Sequence, residues 1–158
     1  MNNSEYWIQH LQLDKHPEGG YYRRIYQSDA LIDTKNGKRH TATAIHYLLQ
    51  SGDFSAWHRI QQDELWFYQQ GGPLVIRSIN HQGKLLTTVL GKDHGLTTCI
   101  PADTWFCSEL LNDHADFSLV SCVVTPGFDF ADFEMANKDE LVNLYPQHRD
   151  IICRLCRE

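Results

Sequence analysis

The sequence predicts an all-β sandwich or barrel with short helices at its ends, and three observations carry that expectation. Eight or more short segments, alternating or continuously apolar, are separated by turn signals. Helical spacing is confined to the two ends of the chain. The strands are rich in aromatics and apolar on both faces, which requires a closed or two-layered arrangement.

In chain order, residues 4–12 fit a short helix, with Ser4 as cap and Trp7, Ile8 and Leu11 at helical spacing. H-P-E-G-G at 16–20 breaks it, because Pro17 fixes φ and Gly19-Gly20 permit positive φ. Residues 21–27 alternate as a strand, and 29–39 form a polar stretch with an Asn36-Gly37 turn. Residues 40–50 form a strand that is apolar on both faces, implying burial on both sides. Further strands are expected at 54–60, 64–70, 74–79, 85–90, 96–100, 104–110 and 117–125, the last ending at Pro126-Gly127. Asn137 and Glu140 make a capping box. A helix should follow to Tyr145, stop before Pro146 and resume over about 148–156.

The stretch from Gly52 to Gly71 concentrates the chemistry. His58 and Ile60 share a strand face. Gln61-Gln62-Asp63 reads as a hairpin turn, which brings Glu64 back beside them. An imidazole and a carboxylate are thus expected on one face among aromatics. Trp66 and Tyr68 share the face of Glu64, whereas Trp57 falls on the opposite one.

The composition excludes several classes. At 158 residues and 42% hydrophobic content, one folded domain over 1–158 is expected. The net charge is −6 and no basic cluster is present, which argues against nucleic acid. No apolar run approaches the roughly 18 residues of a membrane helix. The N-terminus M-N-N-S-E-Y-W lacks the pattern of a signal peptide. Five Cys, an odd number, point to a reducing cytoplasm without disulfides. The lone C-x-x-C of Cys153 and Cys156 has no partner pair and reads as incidental. His10, His81, His94, His114 and His148 fall in helices or loops, as solvent-exposed groups.

The spacing Gly52, His58, Glu64, Gly71 is similar to the first cupin motif, with Ile60 at its second His position. Gly95 and Pro101 fit the second motif, where Asp103, Phe106 and Leu110 replace its Gly, His and Asn. H-P-E-G-G-Y-Y at 16–22, H-R-I-Q-Q-D-E-L-W at 58–66 and P-G-F-D-F at 126–130 resemble a cupin family of bacteria and fungi labelled as a domain of unknown function. The resemblance spans about residues 11–155. It implies a cupin jelly roll, the double-stranded β-helix barrel, and a homodimer. It supplies no substrate.

A cupin metal uses two His and a Glu of the first motif and a His of the second. His58 and Glu64 would be the metal ligands here if a metal were bound, and His46 a third if its face is the lumen face. No cofactor is expected, a divalent metal being the lesser alternative. Without metal, His58 and Glu64 form a candidate acid/base pair, since a carboxylate orients an imidazole and raises its pKa. His58 would be the base, Glu64 its orienting partner and Tyr68 an acid on the same face. Trp66, Phe106 and His46 are the expected ligand-binding residues, while Trp57 and Trp105 pack. His16 and Glu18 are read as part of a turn that places Glu18 and the first strand.

The expected function is a lumen pocket binding a small polar molecule. Analogy of fold points to metal-independent sugar or sugar-acid epimerases and isomerases. The alternatives are a non-catalytic small-molecule binder, a metal cupin with a reduced ligand set and a structural remnant.

Overall fold

The computed structural model describes residues 2–157. Its backbone forms two antiparallel sheets and a separate hairpin. The strands are β1 Asp14–Lys15, β2 Tyr21–Gln27, β3 Leu31–Thr34, β4 Gly37–His40, β5 Thr43–Gln50, β6 Phe54–Ile60, β7 Asp63–Gly71 and β8 Leu74–Ile79. They continue with β9 Leu85–Leu90, β10 Thr97–Ile100, β11 Trp105–Leu110, β12 Phe117–Thr125 and β13 Phe133–Met135. One sheet runs β1-β2-β5-β12-β7-β10 and the other β13-β6-β11-β8-β9. This is the all-β, two-sheet cupin roll that the sequence implies.

Three hydrophobic clusters explain why the strands are apolar on both faces. Between the sheets lie Tyr47 and Leu49 of β5, Trp66 of β7, Ile76 of β8, Phe106 of β11 and Val120 of β12. Outside the six-stranded sheet, Leu48, Phe117 and Leu119 pack beneath Trp7, Ile8 and Leu11. Trp7 and Ile8 belong to α1, Ser4–His10. Outside the five-stranded sheet, Trp57 and Trp105 pack on Leu141, Val142, Ile152 and Leu155. Leu141 and Val142 lie in α2, Lys138–Leu144, and Ile152 in α3, Arg149–Arg154. Adjacent residues of β5, Tyr47 and Leu48, therefore serve opposite clusters, as period-two alternation requires.

The local expectations need small corrections. Asn3, not Ser4, caps α1, accepting from the Tyr6 amide at 2.9 Å; Ser4 is the first helical residue and is buried. Residues 29–39 hold more order than their polarity suggests, since β3 and β4 pair around the Asn36-Gly37 turn. Asp103, at the glycine position of the second motif, keeps the left-handed backbone with φ +58°. Asp is among the residues that adopt this conformation at modest cost. Its amide donates to Ile60 O at 2.8 Å, tying that turn to the end of β6.

Candidate functional site

A pocket enters the barrel between β2 and the segment that follows β12. Tyr22 and Arg24 line it from β2, Thr43 and Ile45 from β5, His58 and Ile60 from β6, and Glu64 from β7. Cys122 and Val124 of β12, Phe128, Phe133, His16 and Glu18 complete the wall. It is narrow, with about 40 Å³ open to the centres of water-sized molecules. One water needs roughly 10–15 Å³ on that measure, so the open space is that of a few waters.

The H-P-E-G-G turn places two of these residues. Gly19 and Gly20 have φ of +112° and +73°, and a Cβ on Gly19 would lie 2.0 Å from Phe54 O. The turn is therefore pressed against β6 as only glycine allows. The Tyr47 hydroxyl donates to Gly19 O at 2.7 Å, and the Ala56 amide to Glu18 O at 2.8 Å. With its backbone fixed on both sides, the turn projects Glu18 into the lumen, where it is only 6% exposed.

Glu18 Oε2 lies 2.7 Å from His58 Nε2, and Glu18 Oε1 lies 3.5 Å from His16 Nδ1. The other ring nitrogen of His58, Nδ1, is 2.6 Å from Ala56 O, so it carries the proton and donates to that carbonyl. Burial pushes the His58 imidazole down, but the Glu18 charge and its hydrogen bonds outweigh this and hold it above the usual value. Burial pushes Glu18 up, yet His58 and His16 beside it bring it below the usual carboxylate range. Burial lowers His16, against the opposing pull of Glu18. Glu64 differs from Glu18. Burial first, and then the Glu18 charge, push its carboxyl up to about 7.

Aromatic rings enclose the group. The His58 ring has its centroid 4.1 Å from that of Phe106 and 5.5 Å from that of Phe133. His16 stands edge-on to Tyr22 at 4.6 Å, with Phe130 and Phe133 about it at 6.1 Å and 5.9 Å. Phe128 and Phe130 belong to the P-G-F-D-F run. Asp132 just beyond it is held by a bidentate Arg39 guanidinium at 2.8 Å and 2.9 Å, and the Phe128 amide donates to Thr43 Oγ1 at 2.9 Å.

The structure rearranges the expected site. His58 and Glu64 share the pocket, but the ion-pair partner of His58 is Glu18, not Glu64. The glycine-rich turn reaches the lumen from outside the β6–β7 hairpin, and hairpin spacing cannot reveal it. Tyr68 stays on the inward face of β7 but, four residues beyond Glu64, packs against the apolar cluster instead of lining the pocket, and its hydroxyl donates to Gly71 O at 2.7 Å. Trp66 is buried in the apolar core against Tyr47 and Phe106. Phe106 backs the His58 ring without lining the pocket. His46 points away from the lumen set of β5, its Nδ1 3.2 Å from Ser121 Oγ. Of the acidic and basic side chains lining the pocket, Glu18, His16 and Arg24 are those that the sequence analysis did not assign to the site. The signal for the first two was the glutamate held between Pro17 and two glycines.

The cupin metal-ligand set is incomplete in this chain. Two of the four cupin ligand positions are Ile60 and Phe106, both buried and apolar. His58 Nε2, the nitrogen that would ligate, already faces Glu18. Among the described residues, no group of three His, Cys, Asp or Glu side chains is placed to hold a metal ion.

Residues 5–136 match the family model described as Cupin superfamily (DUF985). No curated protein matches the chain. An X-ray structure of a protein from Shewanella oneidensis is 37% identical, with a TM-score of 0.92 over 99% of both chains. A hypothetical protein from Leishmania major is 35% identical, also at a TM-score of 0.92, over 99% of this chain and 100% of that one. Oxalate decarboxylase from Bacillus subtilis shares the fold at 13% identity and a TM-score of 0.59, over 89% of this chain and 36% of that one. No helix among the described residues is long and apolar enough to cross a membrane.

Proposed function

The chain belongs to the cupin superfamily (DUF985), and from that premise we propose that its pocket binds a small polar carbonyl compound and moves a proton on the carbon beside the carbonyl. The observation that carries this is the convergence of Glu18, His58 and Glu64 on one narrow lumen pocket. Buried ionisable groups are costly unless matched, and here one carboxyl is matched while the other is left poised near neutrality.

The roles follow from the pairing. His58 is held as the imidazolium by Glu18 and is a poor base. Both its N–H groups are engaged, on Ala56 O and on Glu18, so it holds Glu18 in place and leaves the proton transfer to Glu64. Glu64, near 7, is suited to take and return a proton, because general acid–base catalysis is most efficient with a pKa near the working pH. The Glu64 carboxylate takes the proton from the carbon, and the C–H electron pair moves into the enolate. The acid form exchanges its proton with solvent and delivers one to the adjacent carbon, while the enediol hydroxyl proton passes to the former carbonyl oxygen. The result is isomerisation without a change of oxidation state.

Incubation with candidate sugars and sugar acids in deuterated water, followed by NMR, tests the reading. Wild-type protein is expected to place solvent deuterium next to the carbonyl. Glu64→Gln should lower the rate by about 10²–10⁴-fold, the usual contribution of a general base, while ligand binding persists. Ligands that bind without exchange would make the protein a non-catalytic binder. Equal exchange by wild type and Glu64→Gln would remove Glu64 from the chemistry.

A further inference from the structure

We infer that Arg24 at the pocket mouth reads the anionic group of the ligand, so that the pocket takes a small carboxylic acid in preference to a neutral molecule of the same shape. This rests on the pocket reading above and narrows its ligand class.

Arg24 lies on the lumen face of β2, two residues from Tyr22 and paired with Ile45, and all three line the pocket. The ladder shifts register directly after it, between Arg24 and Tyr26. Such bulges bend a strand and re-aim the neighbouring side chain. The guanidinium extends across the mouth, donating to Phe128 O at 3.3 Å and to Gln27 Oε1 at 2.7 Å. Both acceptors are neutral. Among the described residues no carboxylate pairs with Arg24, whereas Arg39, Arg59, Arg77, Arg154 and Arg157 each have one. A guanidinium has five donors in a fork that fits a carboxylate, and two bonds leave donors for a ligand.

The charges along the pocket set the orientation. At the floor, the Glu18 carboxylate and the His58 imidazolium offset each other within 2.7 Å. A ligand anion at that depth would face the carboxyls of Glu18 and Glu64. At the mouth it would meet the one cation of the lining that has no charged partner. The acid group is therefore held outward by Arg24, and the carbon chain points towards Glu64. The narrow lumen favours a short chain over a nucleotide-linked sugar.

Calorimetry at pH 6 with L-lactate and its neutral isostere L-lactamide tests this on the intact protein. Wild type should bind lactate about tenfold or more tighter than lactamide, the scale of one charge-assisted hydrogen bond. Arg24→Gln should bring the two within about twofold of each other, and Arg24→Lys should keep part of the preference. Arg24 is exposed, so both variants should fold, which circular dichroism checks. Repeating the series in Glu64→Gln separates binding from chemistry, since the preference should survive there even if no proton exchange exists to lose. Equal affinity of wild type for both compounds, no binding of either, or a preference that persists in Arg24→Gln overturns the inference. So does Arg24-dependent binding of inorganic phosphate with none of lactate.

Discussion

The two ends of the barrel interior are built from the same strands and behave oppositely. β7 sends Glu64 into the pocket and Trp66, two residues on, into the apolar fill. β5 does the same with Ile45 and Tyr47, and β12 with Val124 and Val120. One end is closed by large side chains such as Trp66, Phe106, Leu74 and Leu90. The other keeps an ion pair, a second carboxyl and open space. A barrel of this size can be filled or can hold a small ligand; this one does both along its axis. The filled end supplies stability, and the polar end draws on it to keep charges in a dry setting.

The largest effect that would break this contrast is expected at the filled end. Trp66→Ala should destabilise the fold by about 3–5 kcal/mol, as for other large-to-small core changes. Urea unfolding measures it, and a loss below 1 kcal/mol would mean that the filled end is not the anchor.

Next comes the ion pair. Glu18→Ala should cost about 3 kcal/mol by leaving His58 buried without its counterion. The pH window follows from the two shifts. The lowered Glu18 contributes above its ordinary value of 4.5 and loses that contribution as pH falls through its folded value. The raised His58 contributes fully below 6.5 and loses that as pH rises through its folded value. The difference between wild type and variant should therefore be greatest between about pH 4.5 and 6.5. A difference that grows steadily towards pH 9 would contradict the pairing.

Glu64 should show the opposite sign. Its folded value of about 7 exceeds the ordinary 4.5, so the unfolded chain releases the proton first. Stability is then lost as pH rises from about 4.5 to 7, by up to about 3 kcal/mol. Glu64→Gln, a neutral isostere, should match wild type at pH 4 and exceed it by up to that amount at pH 8. Denaturation across this range decides, and a flat difference would place Glu64 among ordinary ionised carboxylates.

The smallest effect belongs to the hydroxyl of Tyr68, whose ring packs at the edge of the filled end. Tyr68→Phe removes one part-exposed bond to Gly71 O and should change stability by about 1 kcal/mol or less. Proton exchange should be unaffected, and a large loss of exchange would return Tyr68 to the site.

Legibility in the sequence follows from how far a residue's placement depends on neighbours in the chain. Alternation correctly assigned His58, Ile60 and Glu64 to one pocket and Trp57 and Trp105 to the outer face, because those placements are local to a strand. It put Tyr68 on the right face but not at the right depth, because alternation gives a face and not how far along the barrel axis the pocket extends. His46 stood undecided because period two gives two faces without saying which is the lumen. Glu18 escaped because its role depends on a turn packed against a strand some forty residues away.

The sequence by itself determined the strand order of turns and runs, the apolar faces, and the loss of two metal-ligand positions at Ile60 and Phe106. These follow from side-chain chemistry and the two-residue pleat. Only the tertiary structure decided that Glu18, not Glu64, neutralises His58, and that Arg24 stands at the mouth. Charges meet through space, and sheet pairing sets which residues become neighbours. Burial of Glu64, and then the Glu18 charge that pairs with His58 beside it, raise that second carboxyl to about 7.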